Sequence, residues 1–91
     1  MRLRWTSAAQ GDLVRLYEFL KADNPNAAAR VVRALVAAPE RLLQTPRLGE
    51  RLEEFSPREV RRMVIGRYEM RYEVADRAIF VLRIWHTREH R

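Results

Sequence analysis

The apolar residues of this 91-residue chain change their period once, near Val60. Before that point they recur at helical spacing; after it they alternate. Ala9, Leu13, Leu16, Tyr17 and Leu20 form one stripe, with Asp12, Arg15 and Glu18 falling on the other side. A second stripe runs through Ala28, Val31, Val32, Leu35, Leu42 and Leu43. A helical half followed by a strand half leaves few architectures. Each helix must bury its stripe, and the sheet must bury one face, so the two halves are expected to cover each other in an α+β fold.

Local signals set the expected boundaries. "RLRW" alternates and reads as a strand over 3–6. Ser7 and Gln10 have capping-box spacing, so a helix is expected to start there. In "ADNPNAA", Pro25 disfavours helical geometry at Asn24 but suits a first helical turn with Asn24 as its cap. The second helix is then expected over 25–44, kinked at Pro39 because the stripe keeps its phase across it. "TPRLGE" reads as a turn and "RLEEFSPRE" as an irregular loop. Strands are expected at 60–66, 68–75 and 78–86, with turns at Gly66-Arg67 and Ala75-Asp76-Arg77.

The last strand, "AIFVLRIWH", is apolar on both faces, which suits an interior position. Strict alternation sends Phe80, Leu82 and Ile84 one way and Ile79, Val81, Arg83 and Trp85 the other. The order is βααβββ: an N-terminal strand and helical hairpin packed on one face of an antiparallel sheet, as a single domain over 1–91. Leu13, Leu16, Leu20, Val31, Leu35, Leu42, Met70, Tyr72, Leu82 and Ile84 are the expected core.

The residue inventory excludes several chemistries. There is no cysteine, so disulfides and thiolate metal sites are ruled out, and a cytoplasmic location is expected. His86 and His90 are four apart, but on a strand end and tail, with no third ligand at sensible spacing. Neither a metal nor another cofactor is therefore expected. Ser7 reads as a cap and Ser56 as a loop residue. Three glycines, Gly11, Gly49 and Gly66, make no phosphate-cradling loop. No apolar run would span a bilayer, and "MRLRWTSAAQ" has no signal-peptide core.

What remains is charge. The net charge is +6, and Lys21 is the only lysine. Arg61, Arg62, Arg67, Arg71, Arg83 and Arg88 all come from the strand half. A basic excess favours nucleic acid, ribosomes or an acidic protein partner. A metal-free ribonuclease needs such cations to hold phosphate, and an acid–base group such as His86 or His90. A solvated or partner-facing arginine surface needs nothing more. Trp5, Trp85 and Tyr68 could stack on bases; Tyr72 alternates with Met70 and Val74 and reads as core. A stand-alone RNA-binding module is a further possibility.

Several stretches, "WTSAAQGDLVRLYEFL", "NPNAAARVV", "PRLGE", "VRRMVIGRYEMRYEV" and "VLRIWHTRE", occur in an order that resembles the ParE/RelE superfamily of type II toxin–antitoxin systems. They carry its W-x-x-x-A-x-x-D-L start, N-P break, P-x-x-G turn, Y-x-x-x-Y strand and H-x-R end. The resemblance covers nearly the whole chain. It implies a small bacterial toxin held by an acidic antitoxin in a hetero-oligomer, with antitoxin contacts expected at Arg71, Arg83 and Trp85.

Two activities compete within the superfamily. RelE-like members resemble ribosome-dependent mRNA endonucleases, and ParE-like members resemble inhibitors of DNA gyrase. A ribonuclease here would rest on Arg61, Arg88 and His90. Yet the place of a key family arginine after the glycine of the tyrosine strand is held by Glu69, and the family's C-terminal tyrosine has no counterpart. These departures favour the ParE-like branch, with no catalytic residue, and leave the endonuclease as the alternative.

Overall fold

A computed structural model of the chain describes residues 1–89. Its elements are β1 (Arg2–Trp5), α1 (Ser7–Lys21), α2 (Pro25–Ala37), β2 (Glu50–Arg51), β3 (Val60–Ile65), β4 (Tyr68–Val74) and β5 (Ala78–His86). Short 3-10 segments lie at Ala38–Leu43 and Glu53–Phe55. The strands form one sheet in the order β1-β5-β4-β3-β2. Among the described residues no helix is long and apolar enough to cross a membrane.

The α+β architecture expected from the period switch is present, with two refinements of the sheet. β1 runs parallel to β5, pairing Arg2–Trp5 with Ala78–Val81, so the sheet is mixed. The turn and loop expected around 45–59 contain a two-residue edge strand, Glu50 and Arg51, pairing antiparallel with Arg62 and Arg61.

The helix starts follow capping chemistry. Thr6, rather than Ser7, caps α1: its Oγ1 accepts the Ala9 amide at 3.1 Å. The same hydroxyl reaches the Val81 and Leu82 carbonyls at 3.0 Å, which ties the cap to the sheet. Asn24 caps α2 through the Ala27 amide at 3.0 Å, with Pro25 in the first turn. The single helix expected over 25–44 changes type. α-Helical bonding ends at Ala37, and Ala38–Leu43 continues as 3-10. Pro39 has no N–H to offer the carbonyl four residues back, so the chain tightens there.

The core lies between the helices and one sheet face. Ala9, Leu16, Leu35 and Leu42 meet Met63, Met70, Tyr72, Ile79, Val81 and Ile84. Leu82 is not among them. Arg71 pairs with Arg83 and Tyr72 with Val81, so Leu82 is an extra residue in β5. This bulge flips the alternation. Ile79, Val81 and Ile84 share the helix-facing side, while Phe80 and Trp85 lie opposite Glu73 and Glu69 on the far side. Strict alternation had divided these residues differently, and Leu82 is only half-buried. Leu13, Leu20 and Val31 are likewise half-buried rather than central.

Tyr72 locks the Pro46–Gly49 turn. Its hydroxyl donates to the Pro46 carbonyl and accepts the Gly49 amide, both at 2.8 Å. A Cβ on Gly49 would lie 2.3 Å from the Arg62 carbonyl oxygen, so only glycine fits. Gly66 turns β3 into β4 with φ of 61°, the left-handed region.

Candidate functional site

Alternation on β3 and β4 puts Arg62, Val64, Glu69, Arg71 and Glu73 on the sheet face away from the helices. Register aligns Arg62, Arg71 and Arg83 across β3, β4 and β5. The three residues expected to meet an antitoxin are thus brought together: Arg71 lies opposite Arg83 and packs against Trp85. Their environments differ from those of a solvated arginine surface. Trp85 is only 6 % exposed. The Arg71 guanidinium lies over the Trp85 ring at 4.8 Å and over the Phe55 ring at 5.0 Å. Phe55 arrives from the 3-10 turn Glu53–Phe55, a stretch too polar and irregular for sequence patterning to place.

Arg83 is engaged inside the molecule. Its Nε donates to Asp12 Oδ2 at 2.9 Å and its Nη2 to Asp12 Oδ1 at 3.1 Å. Asp12 was expected on the solvent side of α1, but it is 4 % exposed. Burial alone would raise its pKa. The Arg83 hydrogen bonds, the Ile84 amide and the Arg15 charge outweigh burial and hold the carboxyl below its ordinary value.

Arg62 and Glu69 form an ion pair. Arg62 Nη1 reaches Glu69 Oε1 at 3.0 Å, and Arg62 Nε reaches Glu50 Oε1 at 2.7 Å. Two carboxylates, first Glu50 and then Glu69, hold Arg62 in its charged form. Glu69 lies diagonally across the β3–β4 pair from Arg62. It neutralises Arg62.

Arg61 and Arg88, two of the three residues expected of a ribonuclease, are not gathered in one place. Arg61 donates to Glu59 at 2.8 Å and to the Gly49 carbonyl at 2.7 Å, and its side chain is 15 % exposed. Glu59 is in turn held below its ordinary pKa, chiefly by Arg61. Arg88 lies at the other end of the sheet. Ile65, Tyr68 and His86 stand abreast, and Thr87 bonds back to Arg67. Four residues of β3 separate Arg61 from that end, roughly 13 Å of strand. Arg88 lines a cleft of about 560 Å³ with Arg15, Phe19, Leu20, Tyr68 and His86, on the helix side. His86 Nδ1 accepts the Arg88 amide at 3.1 Å, and its ring packs edge-on against Tyr68. His90 lies outside the described residues. Among those described, no group of three or more His, Cys, Asp or Glu could hold a metal.

Residues 3–91 match the family described as ParE toxin of type II toxin–antitoxin system, parDE. Toxin RelE2 of Caulobacter vibrioides is 34 % identical over 83 residues, covering 91 % of each chain. A solved structure described as the chromosomal ParDE TA system from P. aeruginosa superposes with a TM-score of 0.77 at 26 % identity, covering 94 % of this chain and 95 % of that one. With its helical hairpin, mixed sheet and P-x-x-G turn locked by Tyr72, the chain belongs to the ParE toxin family of type II toxin–antitoxin systems.

Proposed function

We propose that the chain acts in the cytoplasm as a ParE-like inhibitor of DNA gyrase, neutralised by an acidic antitoxin seated on the sheet face where Arg71, Arg83 and Trp85 lie. The observation that carries the first part is the Arg62–Glu69 ion pair. A metal-free ribonuclease must stabilise negative charge as the 2′-oxygen attacks phosphorus, and each well-placed donor contributes roughly 3–4 kcal/mol to that step. Here the sheet cation nearest such a role is matched by two carboxylates. Arg61 is matched by Glu59, and Arg88 sits on the helix side. Purified chain added to gyrase and supercoiled DNA should accumulate cleaved DNA complexes, and added antitoxin should prevent this. Supercoiling at the control rate with chain in large excess would count against gyrase as the target.

A second reading is kept because one similar protein bears the name Toxin RelE2. In it, the chain would cut mRNA on the ribosome with Arg61, Arg88 and His90. The ion pair of Arg61 with Glu59 and the strand length between Arg61 and Arg88 weigh against it.

A further inference from the structure

The row Arg62, Arg71, Arg83 is uniform in charge but not in pairing. Arg62 faces Glu50 and Glu69, and Arg83 faces Asp12. Arg71, between them, forms no ion pair among the described residues. Its Nε is buried without a hydrogen-bond partner, while the residue as a whole is only half-buried. Buried polar atoms are normally satisfied; Arg51 Nε shares this state but has Glu53 at 3.7 Å, so Arg71, with no carboxylate partner among the described residues, stands out. Two aromatic rings fix the guanidinium in place, and rings offer it no acceptor in its own plane. The Nε is enclosed, so an incoming carboxylate would meet the terminal Nη atoms, and a planar, immobilised fork of that kind suits a bidentate carboxylate.

We propose that Arg71 is the seat for one carboxylate of the acidic antitoxin, and that Arg83 is not a second seat because Asp12 already fills it. The inference rests on the antitoxin reading above. The surrounding charges favour an acidic peptide over nucleic acid. Glu69 and Glu73 flank Arg71 two residues away on the same strand face. A nucleic-acid strand brings a phosphate at every nucleotide, and the neighbouring positions hold Glu69 and Glu73, already paired with Arg62 and Arg58, so they offer no further free cation. A single acid among apolar peptide side chains meets Arg71 together with Phe55 and Trp85 instead.

The test uses the full chain and its purified cognate antitoxin, with affinity read by calorimetry. Arg71→Met should weaken binding at least tenfold, with the fold intact by thermal melt. Among single Glu→Gln and Asp→Asn variants of the antitoxin, one should show a comparable loss on the wild-type chain. That loss should largely vanish on Arg71→Met, the signature of a direct pair. If Arg71→Met does not fold, the series is read on the wild-type chain and on Arg71→Lys, and the same single acid must dominate on the wild-type chain. Affinity within threefold of wild type for Arg71→Met, or losses spread evenly over many acids, would overturn the seat at Arg71 alone. Weakened binding of a 20-nucleotide single-stranded RNA, with antitoxin binding spared, would overturn it in favour of nucleic acid. A wild-type chain that does not bind the antitoxin at all would remove the broader reading as well.

Discussion

Asp12 accepts the backbone amide of Ile84 at 2.8 Å, across 72 positions of sequence. The contact solves a problem that β1 leaves behind. β1 covers β5 only from Ala78 to Val81. Beyond Val81 that edge of β5 would present bare amides and carbonyls, as exposed edges do. Side chains and the tail close it instead. Thr6 takes the Val81 and Leu82 carbonyls, Asp12 the Ile84 amide, and Arg15 the Ile84 carbonyl at 3.2 Å. Glu89 takes the His86 amide at 2.8 Å and Arg15 at 2.7 Å.

Asp12→Ala should therefore destabilise the chain by about 1–3 kcal/mol, because it leaves the Ile84 amide without its acceptor. Urea melts measure it. A loss below about 0.5 kcal/mol would mean that the edge is closed in some other way.

Acid should act through the same residue. The folded pKa of Asp12 is depressed, so its stabilisation is full above the unfolded value, about 3.9. It is lost as pH falls through the lower folded value. Below about pH 4 the wild type should lose stability more steeply than Asp12→Asn, measured by melts at stepped pH. Parallel curves for the two chains would contradict this.

Tyr72→Phe removes the hydroxyl that joins Pro46 to Gly49, with a loss of about 1–3 kcal/mol. Gly49→Ala should cost more, because the new Cβ meets backbone at 2.3 Å and the strand must move. If Gly49→Ala melts with the wild type, the turn is looser than the Tyr72 hydrogen bonds imply.

The bulge makes a further contrast. Ile84→Ala, at a fully buried position, should cost about 2–5 kcal/mol. Half-buried Leu82→Ala should cost about 1 kcal/mol. Chemical denaturation of the two variants in parallel decides it, and the reverse order would restore strict alternation in β5.

Local chemistry was legible in the sequence where it is carried by neighbours in the chain. Asn24-Pro25 announced a cap and first turn, Gly66 a tight turn, and the alternation from Val60 three strands. The features missed depend on distant partners. Asp12 looked solvated because a lone buried carboxylate is costly, and the Arg83 and Ile84 partners that make it affordable come from the last strand. The bulge at Leu82 leaves no trace in a strand apolar on both faces. A two-residue edge strand is too short to show a period. In the candidate site, Arg71 and Trp85 could be placed by alternation on neighbouring strands. The ion pair of Arg62 with Glu69 required the β3–β4 register, and Phe55 required the path of an irregular segment.

The central claim is that Arg61, Arg62 and Arg83 of the sheet are matched by carboxylates and do not form a ribonuclease site. Its most direct measurement is mRNA cleavage on translating ribosomes by the purified chain, run beside gyrase inhibition with antitoxin added back. The expected result is no codon-specific cleavage, together with accumulation of cleaved gyrase–DNA complexes that antitoxin abolishes. Ribosome-dependent cleavage that disappears in Arg88→Ala or His90→Ala, with gyrase untouched, would contradict it.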